Sequence, residues 1–495
     1  MDELTILEMQ AKMQCGELTA RQLTEMYLER IRQVNPKINA IIELNPDALE
    51  IADMLDAERR QGSVRGLLHG VPVLLKDNID THDRMQTTAG SLALSGSIAR
   101  QDAFLVGQLR RAGAVLLGKT NLSEWANFRS TRSTSGWSSR GGLTRNPYAL
   151  DRSACGSSSG SAAAAAANLC AAAVGTETDG SIICPSQTNG IVGIKPTLGL
   201  VSRSGIIPIA HSQDTAGPIA RTVTDAAILL EAMAGADPRD PATASAPMGG
   251  PGYRSGLDPN GLQGARLGVP RKMAGSDERV LAVFDECIAL LKKCGAEVVD
   301  PVSIPTFNKF AKSEMEVLLY EFKADLNAYL SGLGPEAPVH SLEEIIRFNE
   351  EHAARVMPYF GQERMLAAQK KGPLSDSRYL KALERNARLT RAEGLDAALQ
   401  AHHLDAFILP SGGPAWLIDL VNGDSIGWDM ESTSMPAVAG YPHITVPAGY
   451  IFGLPVGLSF IGAAWKEAKL IRLAYAFEQA ARVRRPPQFL QTVSL

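Results

Sequence analysis

The sequence predicts an α/β protein with a central sheet layered between helices, and three observations carry that expectation. Short apolar runs of strand length alternate with helical patterns from Gly70 onward. Strand-like runs return near the C-terminal end, as though the chain rejoined the same sheet. The chain has 495 residues, 45% of them hydrophobic, which is ample for a large buried core.

Taken in order, Leu23, Met26 or Tyr27, Ile31 and Val34 recur at helical spacing behind Thr19 and Gln22, which fit a capping box. Pro36 is expected to end that amphipathic helix within an N-terminal helical segment, residues 1–64. A core over 65–235 begins with the strand-like VPVLLK, the helical DAFLVGQLRRAG and the strand-like AVLLGKT. It continues through an alanine-rich run read as a buried helix, Ser161 to Val174, a turn at Ser181 and the strand-like GIVGIKPT. Residues 236–263 are thick in Pro, Gly, Ser and Asp and read as a long surface connection. The remainder, 264–495, opens with the strand-like ARLGVP. Helical patterns over about 310–400 read as an insertion, and DAFILP, HITVPAGYI and PVGLSFIGA return to the sheet.

Composition narrows the function. Lys and Arg number 49 against 53 Asp and Glu, a net charge of −4, so no basic excess suits a nucleic-acid backbone or an anionic membrane. A small neutral ligand is the better expectation. Six cysteines show no CxxC pair and eight histidines no HExxH spacing, which indicates neither a zinc site nor a disulfide scaffold. The N terminus lacks a basic segment followed by an apolar run, and the alanine-rich stretch is shorter than the roughly 20 residues a membrane helix needs. A cytoplasmic protein is expected, monomeric or homodimeric.

Three places break the pattern of ordinary core or surface. Lys76 ends an apolar strand; such a lysine is usually a surface residue with its stem laid along apolar groups, but if buried it would be a neutral amine able to accept a proton. CGSSSGS, from Cys155, leads into the alanine run, so it is either a tight structural turn or a dense set of hydroxyls that relays protons. GTETDGSIICP, from Gly175, is either a plain strand-to-helix turn or a place where backbone N–H groups converge on a developing oxyanion. No GxSxG elbow surrounds any serine and no histidine stands in a triad-like context, so a nucleophilic Ser181 would need another activator.

Together, LLKDN, CGSSSGS and TETDGSI resemble, in order and spacing, the signature elements of the amidase signature family. Further agreement comes from TTAGS, GKTNLSEWA, GIVGIKPT, SQDTAGPIART, AGYPHITVPAGY and GLPVGLSFIG. The resemblance implies the amidase signature fold, a large mixed, mostly parallel central sheet covered by helices on both faces. It implies a serine amidohydrolase working through an acyl-enzyme, with Ser181 as nucleophile, Ser157 as a bridging serine at a cis peptide bond and Lys76 as base. The N–H groups of Thr178, Asp179, Gly180 and Ser181 would form the oxyanion hole, and Met85, Trp137, Phe348 and Phe360 would lie near the substrate. No metal or organic cofactor has a role in that chemistry.

The chain departs from the commonest family pattern at Cys155, Ser159, Asp179 and Ile183, the last often an arginine. TETDGSI, with FNEEH and FGQE, looks closest to bacterial peptide amidases, which deamidate C-terminal peptide amides; relatives also take aryl amides, aliphatic amides or esters. The rival readings are the amidase subunit of a tRNA-dependent amidotransferase and a non-catalytic scaffold on the same fold.

Overall fold

The computed structural model describes residues 2–247, 252–425 and 432–493. Among them eleven strands form one sheet. These are β1 (Ile41–Leu44), β2 (Pro72–Lys76), β3 (Val115–Thr120), β4 (Ala172–Glu177), β5 (Val192–Lys195), β6 (Thr215–Ala220), β7 (Arg266–Gly268), β8 (Glu297–Val299), β9 (Ala406–Pro410), β10 (His443–Ile451) and β11 (Leu454–Ile461). Across the sheet they run β1-β3-β2-β4-β6-β5-β10-β11-β9-β7-β8. Helices flank it, as expected for the α/β class.

The strand directions differ from the expectation. Four neighbouring pairs are parallel and six antiparallel, so the sheet is mixed without being mostly parallel. The parallel core is the trio β3-β2-β4, whose strands are buried on both faces and read as near-continuous apolar runs. β9, β7 and β8 form a second parallel trio at one edge, and the remaining neighbours are antiparallel. β10 and β11 are joined through Phe452 and Gly453, both at positive φ, the backbone that matches a two-residue hairpin to the strand twist.

The helices bear out the periodic signals and correct two boundaries. Thr19 and Gln22 cap the helix Ala20–Ile38 reciprocally, yet the helix runs past Pro36. Pro36 sits in the last turn, and the stop comes from Asn39, which adopts the left-handed conformation. The alanine run is not one helix. It is helical over Ser159–Ala166, turns at Asn168 with φ 58°, and enters β4 at Ala172. Alanine's small side chain lets both elements pack closely, so composition alone did not locate the turn.

The Pro/Gly-rich stretch is moored to the core through Asp237, which accepts from Ser202 Oγ at 2.7 Å, and Asp240, which accepts from the Arg203 N–H at 2.8 Å. Residues 248–251 of it lie outside the described residues. Among the described residues no helix is long and apolar enough to cross a membrane.

The helices Ala311–Ser331, Leu342–Glu351 and Glu363–Gln369 share an apolar cluster with Trp125 and Phe128 of the signature core. A buried ion pair fastens this layer. Arg129 Nη1 donates to Glu124 Oε2 at 2.8 Å and to the carbonyl of Val356 at 2.6 Å, with both charged side chains at most 1% exposed. Its guanidinium also lies over the rings of Phe360 and Trp137, at 4.3 and 5.3 Å. Removing one partner of such a pair strands the other charge in a dry interior. Glu124→Ala is therefore expected to lower stability by about 3–5 kcal/mol, measured by urea unfolding, whereas breaking a solvent-screened pair such as Arg21–Glu25 should leave the midpoint nearly unchanged.

Candidate active site

Lys76 is the last residue of β2, and its register neighbour β4 runs parallel beside it with Val174 opposite Leu75. The carboxyl ends of adjacent parallel strands open together, which is where α/β sheets place their sites. Here that opening holds Lys76 and Thr176 side by side. Lys76 is fully buried, and its Nζ lies 2.7 Å from Ser157 Oγ, 3.1 Å from Ser158 Oγ, 2.9 Å from Thr176 Oγ1 and 3.2 Å from the Thr176 carbonyl. It makes no ion pair among the described residues. Burial disfavours the ammonium form and pulls the pKa down to about 7, with Asp214 and Glu177 pulling the other way. The buried alternative for this lysine is thus the observed one.

Ser157 is reached through a cis peptide bond from Gly156 and is fully buried. A Cβ at Gly156 would lie 2.1 Å from Ser123 Oγ, so only glycine fits where this loop presses on its neighbour. The Ser157 carbonyl accepts from the Ser123 N–H at 3.1 Å, and the Ser158 N–H donates to the carbonyl of Ser181 at 3.2 Å. The second bond ties the hydroxyl loop directly to the turn after β4.

That turn carries Ser181, which is 8% exposed. Gly180 adopts φ 74°, a conformation that favours glycine. The buried carboxylate of Glu177 accepts from the N–H groups of Ile182 and Ile183 at 2.7 and 3.0 Å, pinning the start of the helix Ile183–Thr188. The N–H groups of Thr178, Asp179, Gly180 and Ser181 have no acceptor among the described residues. Four donors without partners beside a hydroxyl form a ready receptor for negative charge.

Ser181 opens on a cavity of about 340 Å³, within the usual range of small-molecule sites. Ala126, Asn127, Phe128, Ile209, Met315 and Leu318 line it, with Thr178, Asp179, Glu314, Arg364 and Thr433 supplying polar groups. A neighbouring cavity of about 420 Å³ shares Ala126, Thr178 and Ile209 and extends past Thr176 and Asn78.

None of Met85, Trp137, Phe348 and Phe360, expected near the substrate, is among the residues lining the Ser181 cavity. Met85 is fully buried; Phe348 is partly buried against the apolar cluster and packs at a tilt against the His352 ring; Trp137 and Phe360 enclose the Arg129 guanidinium. The aromatic wall at Ser181 is Phe128 instead, which follows the GKTNLSEWA motif by two residues. Two buttresses of the site went unassigned in the sequence, Thr176 and Glu177, although both stand inside the TETDGSI motif.

The cysteine expectation is corrected as well. Cys155 and Cys184 form a disulfide with Cα atoms 6.0 Å apart, joining the residue before Gly156 to the first turn after Ser181. They are 29 residues apart in sequence and meet because the chain passes through one helix and one strand and returns to the same end of the sheet.

The sequence profile of the Amidase family matches residues 22–471. A probable amidase of Arabidopsis thaliana is 43% identical over 99% of this chain and 92% of its own length. The native peptide amidase of Stenotrophomonas maltophilia superposes with a TM-score of 0.93 at 52% identity, covering 98% of this chain and 99% of that one. A glutamyl-tRNA(Gln) amidotransferase subunit from Thermotoga maritima superposes with a TM-score of 0.74 at 29% identity, covering 100% and 99%. With strands, signature motifs and nearly the whole length in agreement, this chain belongs to the amidase family and is an amide hydrolase.

Proposed function

We propose that this amidase hydrolyses C-terminal amides of peptides through an acyl-enzyme on Ser181, with Ser157 as proton bridge and Lys76 as base. The observation that carries the mechanism is the 2.7 Å contact between a buried, readily deprotonated Lys76 and Ser157 Oγ. Neutral Lys76 takes the Ser157 proton as Ser157 takes that of Ser181, and the Ser181 oxygen attacks the carboxamide carbon. The oxygen that becomes negative meets the free N–H groups of residues 178–181. Reversal of the relay delivers the proton to the departing nitrogen as the C–N bond breaks, and ammonia leaves. Water then attacks the acyl-enzyme by the same path.

Likeness to the peptide amidase, at 52% identity over nearly the full chain, supports peptide amides over the amidotransferase role, where identity to the Thermotoga protein falls to 29%. A panel of peptide amides, anilides, aliphatic amides and esters tests the reading. Peptide amides are expected to give the highest kcat/KM without ATP or partner subunits, and a preference for any other group would overturn the substrate assignment.

The base fixes the pH dependence. Only the neutral amine accepts a proton, and its fraction rises with pH through a pKa of about 7. Turnover is expected to climb from acid pH and level off above about pH 8. At pH 5 only about 1% of such an amine is neutral, so kcat/KM there should lie about a hundredfold below the plateau. A pH–rate profile that peaks near pH 5 would rule out the neutral amine.

A further inference from the structure

Arg364 is a charge without a counterpart. It stands in the first turn of the helix Glu363–Gln369, where its own N–H donates to the Arg129 carbonyl at 3.1 Å, and it lines the cavity that holds Ser181. There it lies over the ring of Phe128 at 5.2 Å. Its guanidinium makes no hydrogen bond and no ion pair among the described residues. A partly buried guanidinium with five donors and a single ring contact is incompletely satisfied.

Another ionisable group of this pocket wall is Glu314, 8% exposed, which lines the same cavity and accepts from Gln213 Nε2 at 3.3 Å. Glu314 acts on Arg364 electrostatically, but the two stay apart beyond ion-pair distance. Burial and the neighbouring Asp179, to which it is also hydrogen-bonded, push the Glu314 carboxyl well above the usual carboxylate range, and its oxygen still offers lone pairs to a donor. The cavity thus presents an acceptor and a donor fork held apart. A trans peptide group is the complementary object, since its N–H and C=O lie in one plane and point in opposite directions.

We propose that Arg364 and Glu314 bracket the peptide unit next to the scissile carboxamide. Glu314 accepts the N–H of the residue that carries the amide, and Arg364 donates to the carbonyl oxygen of the residue before it. The apolar wall of Phe128, Met315 and Leu318 takes the side chain between them. This rests on the peptide-amide reading and gives it a physical basis: an amide without that peptide unit leaves the Arg364 fork without an acceptor and the Glu314 oxygen without that donor.

Two substrates matched in their aromatic group test it, N-acetylphenylalaninamide and 3-phenylpropanamide, the second lacking only the acetamido unit. The wild-type enzyme is expected to prefer the first. Arg364→Gln should shrink that preference by about 10- to 100-fold, mainly through KM, the usual effect of losing a hydrogen bond to a charged donor. Arg364→Lys, which keeps the charge over Phe128 without the planar fork, should retain part of it. A purely structural role would slow both substrates by the same factor and leave the ratio intact, which would overturn the assignment. Should the Gln variant fail to fold, the ratio in the Lys variant decides in the same way. A wild-type enzyme that shows no preference defeats the peptide-amide reading and this inference with it; a preference that survives both variants defeats this inference alone.

Discussion

Ser181→Ala is expected to lower kcat by about 10⁴- to 10⁶-fold, the scale on which removal of a covalent nucleophile acts in serine hydrolases. No other hydroxyl of the cluster stands where it could substitute. Ser157 and Ser158 are fully buried, whereas Ser181 alone of the three lines the cavity. The fold should persist, because the turn is held by backbone groups. The Ser181 carbonyl still accepts from Ser158, and Glu177 still holds Ile182 and Ile183. A fluorophosphonate probe should label the wild-type chain at this position and leave the variant unlabelled. Turnover within tenfold of wild type would remove Ser181 from the role of nucleophile.

Lys76→Met is the second large effect, expected at about 10²- to 10⁴-fold in kcat, the range for a positioned general base. It also separates chemistry from stability. Breaking a buried ion pair would destabilise the chain, but Lys76 is bonded only to hydroxyls and a carbonyl. Two of those groups keep other partners. Ser158 Oγ donates to the Thr176 carbonyl at 3.0 Å, and Thr176 Oγ1 accepts from Asn78 Nδ2 at 3.0 Å. Methionine replaces an amine with an apolar group of similar shape, so thermal unfolding should shift little. Residual activity should no longer rise through neutral pH. A variant that keeps the rising limb would place the titrating base elsewhere.

The cluster also explains why a lysine can serve where histidine is more usual. An amine in water is charged at neutral pH and has no lone pair to offer. At the end of β2 the amine is shut off from water among neutral hydroxyls, and the nearest carboxylates act on it only from a distance. Those carboxylates set a balance. Asp214 spends its oxygens on Thr178 Oγ1 and on the N–H groups of Ile209 and Ala210, and Glu177 spends one of its own on the turn. If either reached Nζ directly, the ammonium would be fixed and the relay stopped.

The three segments that carry the proposed chemistry stood out in the sequence because each is local, and their joint resemblance to the family's motifs, not any one of them alone, assigned the roles. Lys76 lies at a strand end, Ser157 in a short Gly/Ser loop and Ser181 in a strand-to-helix turn, and each motif sets its own backbone. Apolar patterning likewise located β2, β3, β5, β7, β9, β10 and β11 and the helix behind Thr19, since burial on two faces or one stripe imposes a repeat of its own, whereas β1, β4, β6 and β8 were not read as strands. What the tertiary structure alone decided depends on segments distant in sequence. Strand direction follows from how the chain returns, so the balance of antiparallel pairs was not readable. The Cys155–Cys184 bond needs two loops at the same sheet end. Trp137 and Phe360 look like substrate contacts in a sequence, but Arg129 claims them, because a buried guanidinium must be enclosed. Arg364 becomes visible as a pocket charge only once the insertion lies over the site and leaves it lining the same cavity as Glu314.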